Sequence, residues 1–345
     1  MDLLVPCAGK SSRFITDKPK YLLTMPDGRL MIEVVVKPFE EKFDQLFFAI
    51  LKEHNERFGS EKILKKIFPN CKILILEELS LGQADTINKM IKHFQIEKSF
   101  LVKDSDGYFE TDDNYDKNRN YISVCDAREV PHVKLHNKSF VEISEQNYIL
   151  RTAEKEVMSK TFSCGGYFFS NALEFVENFE KYQKLQIGGE YFISNIIDVM
   201  IDSGIIFQPI KGIKYQDWGT YEDWVNYTKS KSTYLFDIDG VIYDNGSNYW
   251  EPKWGANEIF PDAKKKINEL YDNGNYIILV TSRPESFREI TIKQLKNDEL
   301  NYHQLIMGLF HGARILINDY SDTNPYPTAK AINTKRNSLD FLEKL

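Results

Sequence analysis

Cysteine is scarce in this chain. Its four residues, Cys7, Cys71, Cys125 and Cys164, stand far apart and form no C-x-x-C pair. That spacing argues against a zinc ribbon and against a disulfide framework, and it fits a reducing, cytoplasmic setting. Positive charge is also in deficit: 44 Lys and Arg against 51 Asp and Glu give a formal net charge of −7. A surface for general nucleic-acid binding is ordinarily basic, so no nucleic-acid partner is expected, while a local basic pocket for one nucleotide stays compatible. No uninterrupted apolar run approaches bilayer-spanning length, and Met1 leads straight into an apolar stretch without a basic segment before it. Neither membrane insertion nor a cleaved leader is expected. Internal repeats, low-complexity tracts and a convincing Ser-His-Asp set are missing too.

What is present suits two domains. A chain of 345 residues exceeds the roughly 250 to 300 at which single cores stop growing, and 42% hydrophobic with 28% charged residues is ample for packed cores in a soluble protein. Short apolar runs, "DLLVPCA", "QLFFAIL", "KILILEE", "SFLVKDS", "YISVCDA" and "CGGYFFS", read as buried strands, with helical patterns such as "TINKMIKHF" and "ALEFVENFEKY" between them. Strand alternating with helix predicts an α/β fold whose ligands lie beyond the carboxyl ends of the strands. Near residue 228 the polar "YTKSKSTY" reads as a linker. A second series follows: "AKKKINELYDNG" as helix, "NYIILVTSRP" as strand, "FREITIKQLKN" as helix and "RILIND" as strand. Domains over residues 1–230 and 231–345 are expected.

The first strand runs into "PCAGKSSRF" and then "DKPKYLL". A small glycine-containing loop after a strand lets backbone N–H groups approach a phosphate, and Arg13, Lys18 and Lys20 add positive charge around it. A P-loop is excluded, since G-x-x-x-x-G-K needs glycine at the position of Leu4. With the segments that follow, the N-terminal two-thirds resembles the nucleotidyltransferases that make nucleotide-activated sugars. The matching residues are the loop Ala8, Gly9, Lys10, Ser11, Ser12 and Arg13, with Ser11 in place of the family's second glycine, and Lys18-Pro19-Lys20.

The resemblance continues in order along the chain. "LGQADTI" resembles the base-recognition turn and implies that Gly82 and Gln83 face the nucleobase. "FLVKDSDGYF" resembles the strand end carrying the first metal aspartate, with Asp106 the better match and Asp104 the second. "TAEKE" and "CGGYFF" imply acceptor contacts from Lys155 and Gly166. "GGEYFISN" offers Glu190 as a hydroxyl-binding carboxylate or as a helix cap, and "YQDWGTYEDW" implies Asp217 as the second metal ligand. The implied reaction is in-line attack of an acceptor phosphate oxygen on the α-phosphorus of a nucleoside triphosphate. Mg²⁺ would sit between Asp106 and Asp217, and Arg13 and Lys20 would stabilise the developing charge. The acceptor phosphate is already ionised and needs no general base.

In "LFDIDGV", Asp237 and Asp239 stand two apart at the end of an apolar strand, and a strand ending at Asp237 would let the turn aim both at one pocket. Together with "IILVTSR" and "ILINDYSD", this resembles the haloacid-dehalogenase-like phosphohydrolases. That resemblance implies Asp237 as nucleophile, Asp239 as acid/base, Thr281 or alternatively Ser282 as the phosphate-binding hydroxyl, and a Mg²⁺ site from Asp237, Asp239 and Asp319, with Asp322 as a further carboxylate. Asn318 stands where the family has a paired aspartate. The phosphate-binding cation is open among Arg314, Lys293 and Lys296.

The expected fold is therefore α/β: a Rossmann-like nucleotidyltransferase domain with a mixed sheet, plus a smaller haloacid-dehalogenase-like domain. The expected activity is transfer of a nucleoside monophosphate, CMP from CTP favoured, to a phosphorylated sugar or polyol such as a hexitol phosphate, in cytoplasmic surface-glycan biosynthesis. Homo-oligomerisation is compatible with it. Two rivals are a non-catalytic nucleotide-sugar sensor or scaffold, and a phosphatase-led enzyme whose first domain recruits substrate.

Overall fold

The computed structural model describes residues 1–10, 18–111, 115–130, 133–185, 189–246, 252–319 and 328–345. It divides into two compact units, Met1–Thr228 and Lys229–Leu345. Among the described residues no helix is long and apolar enough to cross a membrane, and the four cysteines are free and buried.

In unit 1 the chain runs through β1 (Asp2–Pro6), α1 (Met31–Val36), β2 (Gln45–Leu51), α2 (Lys52–Phe58), α3 (Ser60–Ile67), β3 (Lys72–Leu76) and α4 (Gln83–Phe94). There follow β4 (Phe100–Lys103), β5 (Gly107–Glu110), β6 (Asn120–Asp126), β7 (Ser139–Ile143), β8 (Ile149–Glu154) and β9 (Thr161–Phe169). The unit ends with α5 (Ala172–Leu185), α6 (Ile193–Asp202), β10 (Phe207–Lys211), β11 (Ile213–Asp217) and α7 (Tyr221–Lys229), which runs one residue past its boundary. The main sheet has the order β10-β6-β9-β4-β1-β2-β3. β1 lies parallel to β2 and β4, pairing Leu4 with Phe47 and with Val102, whereas β9 runs antiparallel to β4 and β6.

Both faces of this sheet are covered, which is why its central strands read as continuous apolar runs. Period-2 alternation sends Leu4, Phe100 and Val102 to one face, against Ile87 and Met90 of α4, Phe175 of α5 and Ile196 of α6. Leu3, Val5 and Leu101 point to the other face, with Ile32 of α1 and Leu64 of α3. The β7–β8 hairpin joins the sheet at β9, Phe140 standing opposite Phe162.

β5 and β11 form a separate antiparallel ribbon, with Asp217 opposite Gly107. Two segments about a hundred residues apart in sequence thereby end side by side. The ribbon is pinned by Trp218, buried among Leu23, Met25, Met31 and Val35.

Unit 2 contains β12 (Thr233–Asp237), α8 (Pro261–Asp272), β13 (Tyr276–Val280), α9 (Arg288–Asn297) and β14 (Gln304–Ile306). Its parallel sheet has the order β12-β13-β14, and its core gathers Phe236, Ile238, Ile267, Ile277, Leu279, Leu295 and Phe341. Pro261 opens α8 at the first turn, where its missing N–H costs nothing.

The expected strand "RILIND" does not form. Ile315 is 83% and Ile317 90% exposed, and no ladder includes them. A strand needs a partner as well as apolar residues. In this sheet Gln304–Ile306 takes the place beside β13, and the 315–317 run joins no ladder although the outer edge of β12 carries no strand among the described residues.

Candidate functional site

Unit 1 encloses a cavity of about 560 Å³ beyond the carboxyl ends of β1 and β4. Ala8, Gly9 and Lys10 line it at the end of β1; Ser11, Ser12 and Arg13 lie outside the described residues. Gly82 and Gln83 line it from the start of α4. Gly82 has φ +148, and a Cβ there would come within 2.5 Å of the Tyr191 backbone N and O. That close approach is a clasp: Tyr191 N–H donates to Leu81 O at 2.8 Å, and Ala84 N–H donates to Tyr191 O at 3.0 Å. The loop before α4 is thus tied to the segment carrying Glu190. Glu190 is exposed at the cavity rim and stands ahead of α6, which begins at Ile193.

The acidic residues occupy the floor. Lys20 Nζ donates to Asp106 Oδ2 at 2.5 Å, and Lys138 Nζ lies 2.7 Å from Asp217 Oδ2. Asp106 and Asp217 flank Gly219, where a Cβ would lie 3.2 Å from Asp217 Oδ1 and 3.5 Å from Asp106 Oδ2. The β5–β11 ribbon makes this meeting, and Trp218 N–H donating to Asp106 O at 2.9 Å locks it. Asp104 points elsewhere, accepting from Gln83 Nε2. Burial, and then the charge of Asp106, push the Asp104 carboxyl up to about 6. Gln83, expected at the nucleobase, is therefore also a partner of this aspartate.

At the other end of the cavity, Lys155 holds φ 58 and sets its ammonium 4.6 Å from the centre of the Phe192 ring. Beside it the Glu154 carboxylate accepts from the hydroxyls of Ser139 and of Ser194. Gly166 does not reach the cavity. It is the β9 residue opposite Lys103, and a Cβ on it would strike the Phe109 ring and Ser123. The wall position belongs to Gly165, whose φ of +82 and contact with the Asp104 carboxylate leave no space for a side chain. The "CGG" run did not reveal which glycine faces inward. That depends on the register of β9 against β4.

Two lysines, Lys138 in this site and Lys103 behind it, escaped sequence reasoning. Lys138 lies in a polar stretch without a motif. Lys103 carried a signal: a charged residue closing the otherwise apolar "FLVK". It is 0% exposed, and burial lowers its pKa to about 8.

In unit 2 a smaller cavity, about 80 Å³, is lined by Asp237, Asp239, Thr281, Ser282, Arg283, Arg314 and Arg336, among others. β12 ends at Asp237, and the following turn brings Asp239 to the same cavity. Arg314 grips Asp237 with Nη1 to Oδ2 at 2.9 Å and Nη2 to Oδ1 at 3.2 Å. Arg283, 1% exposed, grips Asp239 through Nε at 2.8 Å and Nη2 at 2.7 Å. Its remaining donors reach Thr291 and Gln294 of α9. Thr281 Oγ1 accepts from Arg283 N–H at 3.1 Å and lies 3.4 Å from Asp239 Oδ2, while Ser282 Oγ donates to Phe310 O at 3.3 Å.

Of the three cations left open, Arg314 is thus the one brought to the acidic pair, where Arg283 joins it. Lys293 and Lys296 stand exposed on α9, away from the cavity. Asp319 is exposed and does not line the cavity, because the strand expected to carry it there is not formed; Asp322 lies outside the described residues. Among the described residues no group of three or more His, Cys, Asp or Glu is arranged to hold a metal.

No family model matches the sequence, and no curated protein matches it. Solved structures do. A nucleoside-diphosphate-sugar pyrophosphorylase from Vibrio cholerae superposes with a TM-score of 0.57 at 20% identity, covering 66% of this chain and 99% of its own. The inositol-1-phosphate CTP transferase from T. maritima gives 0.53 at 12%, covering 64% and 90%. A UDP-glucose pyrophosphorylase solved with UDP-glucose gives 0.52 at 17%, covering 66% and 97%. At these identities the likeness shows the fold: the large, parallel-dominated mixed sheet is that of the Rossmann-like nucleotidyltransferases.

Proposed function

We propose that unit 1 is a Mg²⁺-dependent nucleotidyltransferase that moves a nucleoside monophosphate from a triphosphate, CTP favoured, to a phosphorylated sugar or polyol such as a hexitol phosphate. The observation that carries this reading is the convergence of Asp106 and Asp217 on either side of Gly219, each beside its own lysine, in a cavity of about 560 Å³. Hard carboxylate oxygens suit Mg²⁺, which is commonly held by one or two carboxylates together with substrate phosphates, and the missing Cβ at Gly219 keeps the space between them open. Asp106 and Asp217 would hold the ion, which supplies positive charge to phosphate oxygens.

The chain's own residues supply the rest. An acceptor phosphate oxygen forms a bond to the α-phosphorus as the α–β bridging bond breaks, and the electron pair leaves on pyrophosphate. Two anions must meet, so Lys10, Lys20 and Lys138 lower the repulsion. Lys155, Glu190 and the Ser139–Glu154–Ser194 group give the acceptor end a polar lining suited to hydroxyls. The "KPKYLL" and "LGQADT" segments support CTP, and the pairing with unit 2 supports a place in cytoplasmic surface-glycan biosynthesis. The test is pyrophosphate release from CTP, UTP, ATP and GTP, each with hexitol phosphates and sugar phosphates. Release is expected with CTP, and no release with any triphosphate overturns the reading.

We infer for unit 2 a haloacid-dehalogenase-like phosphohydrolase, with Asp237 as nucleophile, Asp239 as acid/base, and Thr281 and Arg314 toward the phosphate. A second reading, phosphate-ester binding without turnover, is favoured by one observation: Arg283 and Arg314 occupy both aspartates, and Asp319 is not with them. Hydrolysis of phosphate monoesters that disappears in Asp237→Asn decides for the enzyme.

A further inference from the structure

Burying an ammonium group removes it from water at a cost of several kcal/mol unless its donors and charge are matched. Lys103 closes β4 at 0% exposure, and a Met of similar length would fill the same space without that cost. What the ammonium meets is specific. Its Nζ donates to Asp104 O at 2.9 Å and to Gly107 O at 2.6 Å, and it stands 4.8 Å from the centre of the Phe109 ring. The two carbonyls mark the ends of the Asp-Ser-Asp-Gly turn that carries Asp104 and Asp106. From inside the protein, Lys103 thus closes the turn like a staple.

The turn carries two carboxylates. Asp104 and Asp106 stand two residues apart, so like charges meet at one turn. Lys20 meets Asp106 from the cavity side, where a phosphate or a metal ion would compete for it. Lys103 is shielded from that competition, because Gly166 and Phe109 cover it. Gly107 also pairs with Asp217 across the β5–β11 ribbon, so a bond to Gly107 O bears on the spacing of both carboxylates that flank Gly219.

We propose that Lys103 is a positioning residue: its buried ammonium ties the Asp104–Gly107 turn and offsets its negative charge, keeping Asp106 and Asp217 in place beside Gly219 for a divalent cation. This rests on the nucleotidyltransferase reading of unit 1. Lys103 touches no substrate. It acts through the carboxylates in front of it.

The test is Mn²⁺ alone, titrated by electron paramagnetic resonance into the full chain carrying Asp237→Asn so that the acidic pair of unit 2 does not contribute. Asp106→Asn in the same background gives the signal without the site. Lys103→Met removes both the tie and the charge; Lys103→Gln removes the charge and keeps an N–H donor one bond nearer the backbone. Both variants are expected to raise the half-saturating Mn²⁺ concentration by about tenfold or more, the range typical for groups just behind metal ligands. The half-saturating Mg²⁺ in the pyrophosphate assay should rise in parallel. A folded Lys103→Gln with wild-type Mn²⁺ affinity overturns the proposal. So does failure of both variants to fold, which would make Lys103 a folding residue only. If the chain with Lys103 intact shows no Asp106-dependent Mn²⁺ binding, it is the reading of unit 1 that fails.

Discussion

At the residue scale the site depends on positions where a side chain has no space. Gly82 combines φ +148 with a backbone neighbour 2.5 Å from any added Cβ. Gly82→Ala must therefore part the loop before α4 from Tyr191, breaking the two backbone hydrogen bonds of the clasp. We expect a stability cost of about 1 to 3 kcal/mol and a KM for the triphosphate raised roughly tenfold, since about 1.4 kcal/mol of lost binding is one decade. Urea denaturation and steady-state kinetics check the two parts separately. His54 gives a second prediction. Its ring is buried near Tyr21 and its Nδ1 has no hydrogen bond among the described residues, and burial holds the imidazole pKa below the ordinary value. The unfolded chain takes up the proton first as pH falls, so this residue costs stability below about pH 6.5, down through its lower folded value; above about 6.5 both states are neutral and it costs nothing. His54→Leu should flatten part of the fall in the urea midpoint between pH 7.5 and 5.5, and an unchanged slope would remove His54 as a cause.

At the element scale the decisive structure is the β5–β11 ribbon, since neither strand carries a complete site. Trp218 anchors it in a core of Leu23, Met25, Met31 and Val35, directly after Asp217. Trp218→Ala is expected to cost about 3 to 5 kcal/mol and to abolish nucleotidyl transfer by freeing Asp217. Trp218→Phe should cost less, because the indole Nε1 has no partner to lose. Denaturant midpoints and pyrophosphate release read both outcomes. This ribbon also shows what a sequence can and cannot yield. The six apolar runs read as strands correspond to β1, β2, β3, β4, β6 and β9, because an apolar run announces itself by composition; five of them are largely buried, while β3 at the sheet edge is only partly so. β5, β7, β8 and β11 mix polar and apolar residues and exist through pairing, which only the folded chain reveals. The same rule explains the error in the other direction. "RILIND" has the composition of a buried strand and yet joins no ladder. Likewise Asp106, Asp217 and Lys20 were legible from motifs, whereas Lys138 and Arg283 matter only through what they touch, and the choice between Gly165 and Gly166 is a matter of register.

At the scale of the whole molecule, the two units carry separate cores and separate cavities. Among the described residues the apolar clusters of Met1–Thr228 draw on unit 1, and the cluster around Phe236 and Phe341 draws on unit 2. Each cavity is lined from one unit only. The two proposed chemistries also oppose each other, because the first joins phosphates and the second removes one. A phosphatase that consumed the acceptor of unit 1 would be futile, so the substrate of unit 2 must differ, for example as a second phosphate on a bisphosphate precursor. Single carboxamide variants test this independence in the intact chain. Asp217→Asn should lower pyrophosphate release by at least a hundredfold, the usual order for losing a metal-binding or charge-stabilising group, and leave phosphate release from monoesters unchanged. Asp237→Asn should do the reverse. Parallel assays of pyrophosphate and phosphate on both variants give four rates. If either substitution depresses both activities while the far-ultraviolet spectrum and the denaturation midpoints stay those of the parent, the two sites are coupled. The second unit would then act on the chemistry of the first rather than on a substrate of its own.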